Sequence, residues 1–314
     1  MSSRQLKTKI KSVRNIKQIT KAVQMVSATK MRRSQTVALN SRSYAKKSLL
    51  ILSHLLNDSE KRDEGGFLWR EPKRAEKTAL IVITSDKGLA GNFNNAVLRK
   101  SWQWKETEEK EGREVEVVAV GKKARDFFKK RNSVITAEFL NFGDIITFED
   151  TRPLGQWILD NFKDGRYRKI FICSNQFVSA LVQKVEISQI LPLKNETLQQ
   201  VINSIVPKAG KYSELAGQDE KTEESRNISY LLEPTRGEIM ENLAQDLIRV
   251  MAMYFIFESN ASEHSSRMLA MKNATENAGR LQEELTLKLN KARQAGITQE
   301  LTEISTAKEA LTAN

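Results

Sequence analysis

The chain has 314 residues, 39% of them apolar and 29% charged, with a formal net charge of +12. That length accommodates one extended and one compact unit, and no apolar run reaches the ~18 residues of a membrane span. A single cysteine, Cys173, excludes an intrachain disulfide. The two histidines, His54 and His264, are too far apart in sequence to supply a metal cluster or a nucleophile and its base.

Residues 1–57 hold thirteen Lys and Arg and no Gly, Pro, Asp or Glu, while residues 58–314 come out at −1, so the whole net charge sits at the N-terminus. Without breakers this reads as one basic helix of up to ~80 Å at 1.5 Å per residue. Its apolar positions Leu6, Ile10, Val13, Ile16, Ile19, Val23 and Val26 advance by 4, 3, 3, 3, 4 and 3. A spacing just under 3.5 predicts a left-handed supercoil with a thin buried edge. The opening MSSRQLKTKI lacks the apolar stretch of a secretory signal, which predicts a cytoplasmic protein.

The middle alternates strands and helices. ALIVIT (79–84) and VEVVAV (115–120) are β-rich runs followed by helical stretches over 94–104 and 122–130. A further helix over about 148–162 leads to KIFICS (169–174) and VEISQIL (185–191). These predict a small sheet with a mostly parallel core, in which Cys173 is a buried small hydrophobe. The charged stretches 58–77, 105–113 and 207–226 read as loops or mobile insertions. Between the first strand and its helix lies SDKGLAGNFN (85–94), where phosphate loops sit, although it matches neither GxGxxG nor GxxxxGK[ST]. The favoured reading is a tight turn through Gly88 and Gly91, with Asn92 or Asn94 capping the next helix.

Beyond Pro234 there is no proline, and Val250, Tyr254, Phe257, Ala261, His264, Met268, Met271, Thr275 and Ala278 alternate steps of 4 and 3. Leu281, Leu285, Leu289, Ala292, Leu301 and Ile304 extend this second seam, with Gly279 and Gly296 as weak points costing roughly 1 kcal/mol each against Ala. His264 on that seam reads as a histidine hydrogen-bonded across a coiled coil. Two matching seams at opposite termini pair most economically antiparallel. The expected fold is α/β with a long antiparallel α-helical coiled coil, the N- and C-terminal helices forming a shaft and the middle a small Rossmann-like α/β domain. The expected boundaries are a helix over 1–57, a charged linker over 58–77, the α/β domain over 78–236 with its charged insertion at 207–226, and a helix over 237–314.

KIKSVRNIKQITKAVQMVSATKMRRSQ (9–35), SDKGLAGNFN, ASEHSSRMLAMKNATENAG (261–279) and NKARQAGITQELTEI (290–304) together resemble the gamma subunit of F-type ATP synthase, in the family's order. The resemblance implies a central shaft that turns inside a ring of alpha and beta subunits, with its α/β domain on the membrane rotor c-ring and an epsilon subunit beside it. It implies no catalytic residue, cofactor, metal or small-molecule substrate of the chain's own, and a place on the cytoplasmic face of the bacterial plasma membrane. Arg293, Gln294 and Thr298 match the family residues that hydrogen-bond the ring. Lys30, Arg32 and Arg33 stand for a basic face toward acidic levers of that ring. Val23 occupies a position where the family commonly has a ring-contacting methionine, and a smaller, stiffer side chain touches less. With Cys173 alone, the two-cysteine redox switch of photosynthetic relatives is absent.

Other classes fit the residues less well. A nucleic-acid binder explains the positive charge, but residues 1–57 offer Tyr44 as their one aromatic. A membrane-surface helix calls for a broad, bulky apolar face rather than a thin seam of Ile and Val. An enzyme on the α/β domain lacks catalytic side chains.

Overall fold

The computed structural model describes residues 3–57, 67–72, 75–143, 146–193 and 236–312, with residues 35, 37–57, 236, 237, 240, 307 and 309–312 described by backbone alone. The expected insertion at 207–226 lies outside the described residues, as do residues 58–66, 73 and 74 of the expected linker and the side chain of His54. The chain divides into a helical unit, within Met1–Ser27 and Met268–Asn314, and an α/β unit within Ala28–Arg267.

The α/β unit is built on five strands, β1 (Thr78–Ile83), β2 (Val115–Val120), β3 (Ile135–Phe139), β4 (Lys169–Phe177) and β5 (Gln183–Leu191). They lie in the order β3-β2-β1-β4-β5, parallel except for the antiparallel pair β4 and β5. Every residue of β1 and β2 is buried, as continuous apolar runs in a doubly covered parallel sheet should be. Helices α2 (Phe93–Lys110) and α3 (Lys122–Lys129) cover one face, where Leu80, Val82, Val97, Val117, Phe128 and Cys173 pack together. Helix α4 (Phe148–Lys163) and part of the C-terminal helix α5 (Arg236–Thr312) cover the other, with Ile81, Val118, Leu154, Ile158, Ile172 and Tyr254 among the packed residues. Residues 250–260 of α5 are buried all round, which marks a core helix rather than an amphipathic one.

Local chemistry explains the element ends. Thr147 and Asp150 form a capping box at the start of α4, the Thr147 backbone N–H donating to Asp150 Oδ2 at 2.8 Å. Gly121 opens α3 at φ 88°, ψ 149°, a region only glycine populates readily, and a Cβ there would be driven into the Thr84 carbonyl. Gly155 on α4 lets α5 approach closely, since a Cβ would sit 3.1 Å from Arg249 Cα. At the sheet's other end, Glu116 is buried and holds Lys77 at 2.8 Å, the Tyr167 hydroxyl at 2.8 Å and Arg166 at 3.1 Å.

Three expectations need correction here. The charged run 105–113 is not all loop, because α2 continues to Lys110 on good helix formers and an i,i+4 pair between Lys105 and Glu109. Within the stretch read as a charged linker, Phe67–Trp69 form a 3₁₀ turn whose Leu68 is buried in the core. Strand β3 was not anticipated: it is a short, half-buried edge strand, too weakly patterned to stand out.

In the helical unit, α1 (Ser3–Asn57) and α5 run antiparallel. The Thr275 hydroxyl donates to Thr20 Oγ1 at 2.8 Å, and the backbone of Gly279 leaves room for the end of Lys17.

Candidate functional site

The surface of the helical unit follows from which side of each helix is buried. On α1 the covered positions up to Ser27 are Leu6, Ile10, Val13, Lys17, Thr20, Val23, Gln24 and Ser27, an alternation of 4 and 3 with the expected Val23 beside Gln24. The expected seam therefore holds through Val13 and then slips. Ile16, Ile19 and Val26 are each more than half exposed, as is Met25, and Val23 is half-buried. The reason is geometric: a coiled coil keeps its heptad phase even where the sequence places polar residues on it, so Lys17, Thr20 and Gln24 take the inner positions. The isoleucines are left as an outward apolar stripe on one flank of the seam, with the exposed Arg14 and Lys21 on the other.

From Met271 on, the seam of α5 runs through Met271, Thr275, Ala278, Gln282, Leu285, Leu289 and Ala292, with Ala274 and Gly279 half-buried beside it, so Leu281 is displaced from the expected seam by Gln282. By the register of Thr20 against Thr275, Ser3 falls opposite about Ala292. Residues 293–306 are all exposed, including Leu301 and Ile304, which the periodicity had placed on the seam.

Arg293, Gln294 and Thr298 lie on this exposed stretch, within five residues of one another, and Ile297 stands beside them. The Thr298 hydroxyl donates to the Gln294 carbonyl at 3.0 Å, which holds it against its own helix. Val23 is on α1 in the same unit, about 30 Å down the helix by register at 1.5 Å per residue. Lys30, Arg32 and Arg33 belong to the α/β unit, where Arg32 and Arg33 are exposed and Lys30 is half-buried. Ser34, one residue on, donates to Asn260 Oδ1 of α5 at 2.7 Å.

In the α/β unit the Ser85–Asn94 loop differs from the expected turn. Leu89 carries the left-handed φ of 61° and Gly91 one of 56°, whereas Gly88 has no positive φ. Asn92 occupies the cap position of α2 without a side-chain cap bond. Asn94 instead closes the base of the loop, accepting from Ser85 N at 3.0 Å and donating to Ser85 Oγ at 2.8 Å. Sequence reasoning also passed over Arg267, whose guanidinium donates to the Gly88 carbonyl at 3.2 Å. His264 is buried beside it, its Nδ1 3.3 Å from Arg267 Nη1 one turn along the same helix. A cavity of about 300 Å³ at the ends of β1 and β2 is lined by Asp86, Lys122, Asn141, Asn260 and His264. Among the described residues no three His, Cys, Asp or Glu come together as a metal site, and no helix is long and apolar enough to cross a membrane. Burial pushes the Cys173 thiol up to about 12.

Comparison with known proteins decides the family. A family model described as ATP synthase matches residues 2–311. An ATP synthase gamma chain of Roseiflexus sp. (strain RS-1) is 36% identical over 310 residues, covering 99% of this chain and 98% of the relative. The chain belongs to the ATP synthase gamma chain family. The gamma chain of Stenotrophomonas maltophilia (strain K279a) is 35% identical over 303 residues, 96% of this chain and 97% of that one. In solved structures the fold recurs in the Euglena gracilis mitochondrial ATP synthase, with a TM-score of 0.61 at 19% identity over 99% of this chain and 95% of that one. It recurs also in the central stalk and c-ring structure of the Tetrahymena thermophila mitochondrial enzyme, with a TM-score of 0.56 at 21% identity over 82% of this chain and 99% of that one. As a gamma chain, this protein is the central rotor shaft of a synthase that couples ion flow to ATP chemistry.

Proposed function

We propose that the chain is a non-catalytic shaft. It turns inside a ring of alpha and beta subunits, meets the epsilon subunit and the membrane c-ring through its α/β unit, and works at the cytoplasmic face of a bacterial plasma membrane. The observation that carries this reading is the exposed stretch of α5 past Ala292, where Arg293, Gln294 and Thr298 sit beside Ile297, Leu301 and Ile304. A helix segment of that kind, with apolar side chains and hydrogen-bonding ones interleaved on one exposed face, suits a surrounding sleeve of other chains. The outward stripe of Ile16, Ile19 and Val26 suits an apolar anchor, and the exposed Arg32 and Arg33 of the α/β unit suit acidic levers.

The test is reconstitution of the complex with Arg293→Ala and Gln294→Ala together. Alanine keeps the helix, while charged hydrogen bonds worth roughly 1.5 to 3 kcal/mol each are lost. Assembly or ATP hydrolysis should fall, with Thr298→Ala milder because its hydroxyl is already engaged. Normal assembly, hydrolysis and pumping in the double variant would refute the assignment of these residues. ATP turnover by the isolated chain would refute the non-catalytic role.

A further inference from the structure

Helix α5 meets the carboxyl ends of the strands through side chains that are mostly polar. Glu258, buried, accepts the Phe177 backbone N–H at 2.9 Å. Ser265 donates to the Ala180 carbonyl at 2.6 Å, and Ser266 donates to Gln183 Oε1 at 3.0 Å. Arg267, 8% exposed, turns the other way, to the Ser85–Asn94 loop. Its Nε and Nη2 donate to the Gly88 carbonyl at 3.3 and 3.2 Å, and Nη2 also donates to Glu263 Oε1 at 2.5 Å. One planar fork thus serves the loop and its own helix at once, a geometry an ammonium does not supply.

The tip is part buried, with Ala90 3% exposed, and part open. A Cβ on Gly88 would meet nothing within 4 Å, and Leu89 is 71% exposed in a left-handed conformation that L-residues disfavour. No apolar burial of Leu89 accounts for that backbone. The base is closed by Asn94, and by the Ser85 hydroxyl donating to the Lys87 carbonyl at 2.6 Å, while the tip is held by Arg267.

We infer that Arg267 is a positioning residue that locks the Ser85–Asn94 loop to α5, so that loop and helix turn as one body when the rotor carries load. The inference rests on the rotor reading for its consequence and on the geometry for the lock itself. A loop in a disfavoured conformation, released from the helix, yields to a lateral force instead of transmitting it.

The test uses the reconstituted complex carrying Arg267→Lys, or Arg267→Met with Glu263→Gln, the double variant removing both charges of the pair together. Hydrogen exchange at the amides of 87–92 should rise about tenfold, while those of β1 stay unchanged. Ions pumped per ATP should fall about twofold or more with hydrolysis kept within about twofold, and the lysine variant should fall less than the double variant. Unchanged exchange in the loop overturns the lock. Raised exchange with unchanged pumping per ATP overturns the positioning role and leaves Arg267 a purely structural residue. If the unmodified complex does not pump ions on hydrolysis, the rotor reading fails, and the loop exchange still decides the lock.

Discussion

The hydroxyls of Thr20 and Thr275 meet at 2.8 Å between two antiparallel helices, and Thr20 in turn donates to the Lys17 carbonyl of its own helix at 3.1 Å. The centre of the paired helices therefore carries a hydrogen bond between buried apolar neighbours, Met271 on one side and Ala278 on the other, with Leu6, Ile10 and Val13 covered toward one end. Valine at either threonine alone should cost only about 0.5 kcal/mol, because it removes the shared bond while the remaining hydroxyl keeps a carbonyl of its own helix, Lys17 at 3.1 Å or Met271 at 2.8 Å. Valine at both should be close to neutral, giving a coupling of about 1 kcal/mol in a double-mutant cycle. Thermal loss of helicity in the three variants measures it, and additive single effects would remove the threonine pair from the account.

Gly121→Ala should destabilise the α/β unit by about 3 kcal/mol or more, since the φ of 88° and the Thr84 carbonyl both exclude a Cβ. Denaturant unfolding followed by tryptophan fluorescence reads this directly, and a loss under about 1 kcal/mol would mean that the α3 entry relaxes freely.

Glu116 should make the α/β unit acid-sensitive. Burial pushes its carboxyl up, but the hydrogen bonds from Lys77 and Tyr167 and the charges of Lys77 and Arg166 outweigh burial and hold it below the ordinary carboxylate range. A lowered folded value means stability that is present above the unfolded pKa and is lost as pH falls through the folded one. Glu116→Gln should cost roughly 1.5 to 3 kcal/mol at pH 7, and its deficit should shrink as the pH is taken below about 4. A deficit that does not change with pH would place the effect in packing instead.

Gly296 lies in α5 with open space where a Cβ would be. Gly296→Ala should therefore stabilise that stretch by up to about 1 kcal/mol, visible as higher helicity on heating. Gly279→Ala should gain less, because the new methyl would come within 3.3 Å of Lys17 Nζ and the lysine must move aside. Equal gains at the two positions would show that Lys17 is not held there.

The terminal helices and the four stronger strands were legible because unbroken periodicity and continuous apolar runs are strong local signals. The phase of α1 was not. After Val13 the apolar residues and the heptad part company, and apolarity alone points to Ile16 and Ile19, whereas the constant phase of a supercoil selects Lys17 and Thr20. Arg293, Gln294 and Thr298 were found through a family motif, with no periodic or propensity signal to mark them. Arg267 escaped because its role depends on a carbonyl 179 positions away in the chain, a relation that no window along the sequence contains.

The burial of Cys173 has a practical side. Its sulfur lies 3.8 Å from the Val97 carbonyl in the packed face of the sheet, and burial holds it in the thiol form at neutral pH. Since thiolate is the reactive species, the folded chain offers a silent background to maleimides. A cysteine introduced at an exposed position such as Ile304 would take a fluorophore or bead by itself, with the native sulfur left in place. Angular steps could then be recorded on a protein altered at one site only.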